Sequence, residues 1–301
     1  MQSPHSAGPR QSQRQAAAAS PARGLRAVFR FLRRLYRYPA AGVGTSIVLV
    51  FVVLAIVGTW LVPFEPTEQI LTARRQAPSL THWFGTDHLG RDVFSRVVVG
   101  SRDILLLAGL GTALAVFIGT ALGLATSYIG GWLEEVTFRI FDSLLAMPAL
   151  LLALLLLGTL GPSRTSVLVV IAISYVPIVA RVVRSVVLDT KTKEYIAAAR
   201  TQGEPAWYIV GRQVLPSVLP ALAVEAALRF SYAIFLVASL GFLGVGVQPP
   251  SPDWGLMVSE ARNFAALTPW ALYFPALAIS LLVIAMNLMA DGLKRVLQGE
   301  R

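Results

Sequence analysis

Ala41 to Pro63 is a run of 23 residues without a charged side chain. As an α-helix rising about 1.5 Å per residue, it is long enough to cross a hydrocarbon core of about 30 Å with some tilt. Five further apolar runs have similar length, at 104–129, 138–160, 166–187, 220–245 and 270–290. Inside lipid every backbone amide must find its partner within the segment, so these runs are expected to fold as helices. The expected fold class is all-α, a polytopic membrane protein with six transmembrane helices.

Composition bears on what such a chain does. Of 301 residues, 55% are hydrophobic and 14% charged, whereas a soluble domain carries about 25% charged residues. There is no cysteine, which excludes disulfides, thiolate metal sites and cysteine nucleophiles. The three histidines, His5, His82 and His88, lie outside the apolar runs, so no buried metal centre is expected.

The net charge of +10 is concentrated at one end: residues 1–38 hold eight arginines and no acid. A basic arm next to the first span fits the positive-inside rule and anionic lipid better than nucleic acid. Residues 1–23, rich in Ser, Gln, Ala and Pro, read as a disordered cytoplasmic tail. Residues 24–38 read as an amphipathic interfacial helix, with Leu25, Val28, Phe29, Leu32, Leu35 and Tyr36 at helical spacing and arginines between them. The membrane domain is then 39–301.

Six spans put both termini on one side. The arm, the 181–216 region and the C-terminal tail hold seventeen of the 26 basic residues, against seven on the other side. Both termini are therefore expected in the cytoplasm. So is the hydrophilic segment 188–216, and the long loops 64–102 and 246–269 are expected outside.

No phosphate-binding loop, nucleophile elbow or H-E-x-x-H motif occurs. The chain is expected to be no enzyme and to bind no cofactor. If a nucleotide energises it, another subunit holds that nucleotide. The segment Glu194 to Pro216 has the form of a docking element. Lys193 to Gln202 favours helix, and Ala197, Ala198 and Ala199 allow close approach by a partner. Gly203 can take a positive φ and stop that helix. Glu204-Pro205 starts a second helix, and Pro216 and Pro220 mark the return to the membrane.

This segment resembles the "EAA" loop of permease subunits of bacterial ABC importers, roughly E-A-A-x-x-x-G, nine residues, then I-x-L-P. The match falls on Ala198, Ala199, Gly203, Leu215 and Pro216, with Glu194, Tyr195 and Arg200 beside them. The departure is Ala197, which stands where the motif has glutamate. Glu194, one turn earlier, is a candidate replacement. The resemblance implies that this is the coupling helix that docks on an ATPase.

Two more stretches narrow the resemblance. His82 to Val93, which includes Phe84, Gly85, Thr86, Asp87, Gly90, Arg91 and Asp92, is similar to the H-x-F-G-T-D-x-x-G-R-D signature of the C-type permease of dipeptide, oligopeptide and nickel importers. Its residues read as a tight loop in which Asp87, Arg91 and Asp92 can cross-pair, as a structural clamp or as a substrate contact. Ser239 to Pro250, Trp254-Gly255, Asn287 and Asp291-Gly292-Leu293 also resemble that subfamily.

The resemblance implies a type I ABC importer permease in the bacterial inner membrane. It implies a heterodimer with a sister permease, two ATPase subunits holding ATP and Mg, and an extracytoplasmic binding protein. Di- or oligopeptides are the implied cargo, with nickel or another small solute as alternative. A secondary transporter would explain the spans but not the cytoplasmic motif. Glu225 and Arg229, four apart in the fifth run, either neutralise one another at a subunit seam or line the translocation path. Arg139 and Asp142 are expected to bridge near the start of the third run.

Overall fold

The computed structural model describes residues 35–298. The tail 1–23 and most of the amphipathic segment 24–38 lie outside the described residues; residues 36–38 form a turn into the first span. The helices are α1 (Pro39–Leu61), α2 (Val93–Ile129), α3 (Gly131–Leu145), α4 (Ala149–Leu160), α5 (Arg164–Thr190), α6 (Glu194–Thr201), α7 (Ala206–Ile209), α8 (Leu215–Phe242), α9 (Trp254–Ala261) and α10 (Pro269–Gln298). Among the described residues five passages are long and apolar enough to cross a membrane, with Ala206–Phe242 taken as one, and α3 with α4 makes a sixth that is bent by 94°. Among the described residues there is no strand, only an isolated bridge between Thr86 and Asp92.

The third apolar run, 138–160, is therefore not one straight span. The break falls at Ala146-Met147-Pro148, and Pro148 takes an extended ψ of 131°. A residue before proline avoids the α region, so α3 cannot run on through Met147. The expected Arg139–Asp142 bridge does not form. Arg139 Nη2 donates to Glu135 Oε1 at 3.0 Å, one turn back, and Asp142 Oδ1 accepts from Arg181 Nη2 at 2.5 Å. Arg184 Nε donates to Glu134 Oε1, also at 2.5 Å, so two ion pairs clip α3 to α5.

Other boundaries also move for local reasons. The second passage starts at Val93, not 104, because Asp92 caps it: Oδ2 accepts from Ser95 N at 2.8 Å and from Ser95 Oγ at 2.7 Å. The charged residues of its first turns are what a hydropathy reading excludes. The fifth passage does not begin at Pro220 but runs on from Ala206. Pro216 lacks an N–H and its ring crowds the carbonyl four residues back, and the chain widens to a π turn over Val210–Val214 just before it.

The core is built on the α2–α5 pair. Gly111, Gly119 and Gly123 recur along α2, with Ala115 buried between them. A Cβ at these glycines would come within 2.8–2.9 Å of Ile171, Val176, Val179, Ala180 or Val183 on α5. Small residues at this spacing let two membrane helices approach backbone to backbone. The apolar stretch of α5 is 67% buried and that of α1 only 17%, so α5 is central and α1 peripheral. The C-terminal ends of α2 and α5, the 194–216 segment and the end of α10 share one end of the bundle. The loop 62–92, α9 and the start of α10 share the other.

Candidate functional site

At the first end, α6 stops at Gly203, whose φ is +77°. Glu204 N donates to Ala199 O at 3.1 Å and Gly203 N to Arg200 O at 3.0 Å, the paired bonds of a Schellman stop. No atom lies within 4 Å of a Cβ added to Gly203, so backbone conformation, not space, is what asks for glycine. The segment has two faces. Ile196, Ala199, Ile209 and Val214 are buried against Leu124, Val179, Val183 and Val187 of α2 and α5. Glu194, Tyr195, Ala197, Ala198, Arg200 and Gly203 face outward, as does Trp207, which is 76% exposed. Arg200 lies over the Tyr128 ring at 5.2 Å.

At the other end the signature loop is a closed polar lattice. Thr86 Oγ1 donates to Ala73 O at 2.5 Å and accepts from Gln76 N at 2.8 Å, and Thr86 O accepts from Trp270 Nε1 at 2.8 Å. Asp87 accepts from Leu89 N, Arg91 N and, at 2.6 Å, Arg91 Nε. Arg91 Nη2 reaches across to Glu260 on α9 at 2.5 Å. Asp92 does not pair with Arg91. It takes the α2 cap and His82 Nδ1 at 2.9 Å. Phe84 stacks on Phe274 of α10 at 3.8 Å. A Cβ on Gly85 would lie 2.6 Å from Gln76 O, and one on Gly90 would strike Ile70 O. Asp87, Arg91 and Asp92 are all buried.

Between the two ends, Arg229 Nε of α8 lies 2.7 Å from Glu225 Oε1. The contact is ionic, because the two atoms are buried and neither has a hydrogen-bond partner of good alignment. The guanidinium sits over the rings of Tyr232 at 4.8 Å and Tyr175 at 5.7 Å.

Residues 112–299 match the family described as binding-protein-dependent transport system inner membrane component, and residues 29–78 match the N-terminal transmembrane domain of oligopeptide transport permease C. The chain is 41% identical over 265 residues to the dipeptide transport system permease protein DppC of Alkalihalophilus pseudofirmus, covering 88% of this chain and 87% of that one. The chain belongs to the binding-protein-dependent permease family. It is an ABC importer permease of the C type. It is also 39% identical over 269 residues to the glutathione transport system permease protein GsiD of Pectobacterium atrosepticum, covering 89% of each. To the probable D,D-dipeptide transport system permease protein DdpC of Escherichia coli K12 it is 38% identical over 259 residues, covering 86% of this chain and 87% of that one. Its fold matches a chain of the MetNI methionine ABC transporter in an inward-facing conformation, with TM-score 0.52 and 19% identity over 65% of this chain and 95% of that one.

Within this permease the residues singled out in the sequence fall into three places. The residues of the 194–216 segment expected to dock a partner share one surface, except that Ala199 is buried and Leu215 half-buried, holding the segment to the bundle. The signature residues share the opposite lattice, and Glu225 and Arg229 meet between. Three contributors were not singled out. Trp207 lies four residues past the motif glycine, and its exposure has no sequence signal. Glu260 meets Arg91 across 169 positions. Asp253 is buried and caps α9 through Leu256 N at 2.9 Å, a role its place one residue before Trp254-Gly255 could have suggested.

Proposed function

We propose that the permease forms half of an ATP-driven translocation path for di- or oligopeptides. A sister permease completes the path, two ATPase subunits dock on the 194–216 surface in the cytoplasm, and a binding protein delivers cargo to the signature-loop end. The observation that carries this reading is the two-faced 194–216 segment. Its inner face is anchored on the α2–α5 pair, the most closely packed part of the bundle, and its outer face presents Tyr195, Ala197, Ala198 and Trp207. A displacement imposed on that surface reaches both spans directly. The relatives' names supply the peptide cargo.

On this reading the chain itself breaks no bond and holds no nucleotide. The signature lattice, whose buried charges satisfy one another, is a clamp that fixes the 62–92 loop on α9 and α10. Both termini lie in the cytoplasm, and Glu225 and Arg229 face the path.

The test is uptake by proteoliposomes holding the full importer, with labelled dialanine and trialanine as probes. Uptake is expected to require ATP on the side of the 194–216 segment and the binding protein on the other. It is expected to stop with orthovanadate and to persist with a proton ionophore. The reverse pattern would assign a secondary transporter, and nickel uptake without peptide uptake would assign the small-solute reading.

A further inference from the structure

One face of α8 is left open along the bundle, and it carries the exposed rings of Tyr232 and Phe235 with Phe242 beyond them. Of the clefts along α8, one of about 470 Å³ is bounded by Phe235 and Phe242, and two others are lined by the members of the ion pair. The first of these two, of about 340 Å³, is lined by Arg229, Tyr175, Tyr232, Leu150, Phe235 and Ser239. The second, of about 360 Å³, lies nearer the coupling segment and is lined by Ser217, Pro220, Ala221, Val224, Glu225 and Leu297. Both fall within the range of small-ligand sites, about 300–1,000 Å³. The ion pair therefore joins two clefts: Arg229 lines one and Glu225 the other.

Within this subunit the pair is not sealed in protein. A charge in a membrane interior is costly unless it is paired or wet. Here each residue borders open space, with side chains 15% and 12% exposed, and Glu225 Oε1 and Arg229 Nε have no well-aligned hydrogen bond. Arg229 is held by two aromatic faces as well as by charge, so its position does not depend on Glu225 alone.

We propose that Glu225 and Arg229 form a two-sided recognition septum for zwitterionic substrates: Arg229 receives the substrate carboxylate in the first cleft, and Glu225 receives its ammonium in the second. The proposal rests on the peptide-import reading and adds the chemistry that is recognised. An entering carboxylate takes the guanidinium fork in bidentate geometry, which releases Glu225 for the ammonium end. One internal pair is exchanged for two intermolecular pairs, so no charge is left alone in the membrane at any stage. A peptide with a blocked carboxylate or a blocked amine makes only one of the two exchanges.

The chain has no cysteine, so single substitutions report on each cleft. In membranes holding the assembled importer, Ser239→Cys reports on the Arg229 side and Ser217→Cys on the Glu225 side. Each is labelled with an anionic and a cationic methanethiosulfonate, normalised to a free thiol and read on this subunit's band. The anionic reagent is expected to be favoured by about tenfold at Ser239→Cys, and the cationic reagent at Ser217→Cys, as a charge-assisted contact implies. Arg229→Gln should abolish the first preference and Glu225→Gln the second. Equal labelling at both sites, or preferences that survive both neutralisations, would overturn the septum.

Uptake separates this inference from the reading beneath it. Arg229→Gln is expected to slow dialanine uptake at least tenfold with assembly intact. If the wild-type importer takes up dialanine and both neutralised variants match it, peptide import stands and the septum falls. If the labelling preferences appear but no peptide is taken up, the charged clefts stand and the peptide assignment, with the zwitterion chemistry built on it, falls. If Arg229→Gln fails to assemble, Glu225→Gln with dialanine against N-acetyl-dialanine decides: wild-type discrimination in that variant overturns the proposal.

Discussion

Gly241, near the end of α8, packs directly against Asp253, the N-cap of α9: a Cβ on Gly241 would fall on Asp253 Oδ1 and 2.9 Å from the Leu256 amide nitrogen that this oxygen caps. Any side chain there pushes the cap away. Gly241→Ala is expected to cost about 1–3 kcal/mol through overpacking and loss of the cap. Thermal unfolding in detergent measures it, with Gly211→Ala, which meets nothing within 4 Å, as the neutral control.

Asp253 itself should give the protein a pH signature. Burial pushes its carboxyl up to about 6, against the lowering effect of the amides of Leu256 and Gly255, with nearby Asp103 raising it further. A folded-state pKa above the unfolded one means that the folded protein binds the proton more tightly. Stability is therefore expected to fall as pH rises from about 4 to about 6 and to level off above that. The loss is on the order of 1–3 kcal/mol. Asp253→Asn keeps an acceptor for the cap and removes the charge. It should flatten melting temperature against pH in that window and leave stability at pH 7 equal or higher. A wild-type slope in the variant would assign the pH dependence to another group.

The membrane passages were legible because lipid leaves helices as the only option for long apolar runs. The ends were not. Asp92, Ser95 and Arg96 look like loop residues in a hydropathy reading, yet Asp92 and Ser95 satisfy one another at the cap, the distant carbonyls of Pro66 and Ser251 take up Arg96, and α2 begins among them. Pro216 and Pro220 look like a re-entry point, but the π turn carries the helix past them. The Gly203 stop was readable, because the demand for positive φ is local. Arg91–Glu260 and Arg181–Asp142 were not, because they join residues 169 and 39 positions apart, and spacing rules reach only about four residues along a helix.

Gly203 allows a test of the coupling element by conformation alone. Its φ of +77° suits glycine and asparagine. Gly203→Asn is expected to retain most transport. Gly203→Pro cannot adopt this φ and loses the N–H that bonds Arg200 O, so it should abolish uptake while the protein still inserts. Normal uptake in the proline variant would remove the segment from the coupling role.

Trp207 is 76% exposed, stacks edge-on with Tyr208 and adds little to the fold. Exposed aromatic anchors dominate interface energetics, and loss of one costs about 2 kcal/mol or more of binding. Trp207→Ala should leave the melting temperature of the isolated permease within about 1 °C and weaken ATPase co-purification by at least tenfold. With Ala197 in place of the motif glutamate, this apolar anchor is expected to matter more than any charge on the surface. Ala197→Glu should therefore strengthen binding or leave it unchanged.

Glu260 holds the signature loop from outside that loop. Its carboxylate is 2.5 Å from Arg91 Nη2 and 3.8 Å from Arg96 Nη2, and both arginines are almost fully buried. Arg91 keeps Asp87 as partner, and Arg96 keeps only the carbonyls of Pro66 and Ser251. Removing Glu260 leaves Arg91 with one carboxylate and the buried Arg96 with none, and breaking a buried pair from one side costs about 3–5 kcal/mol. Glu260→Ala is expected to lose stability on that order and to expose the 62–92 loop to proteases between Leu71 and Trp83, where Leu71 and Leu80 are already at the surface. Glu260→Gln keeps an acceptor for Arg91 and should lose about half as much. The double variant Glu260→Gln with Arg96→Met deletes one charge of each sign and should recover part of the loss. If Glu260→Ala melts like the wild type and its loop resists proteolysis, the lattice is not what clamps the loop to α9.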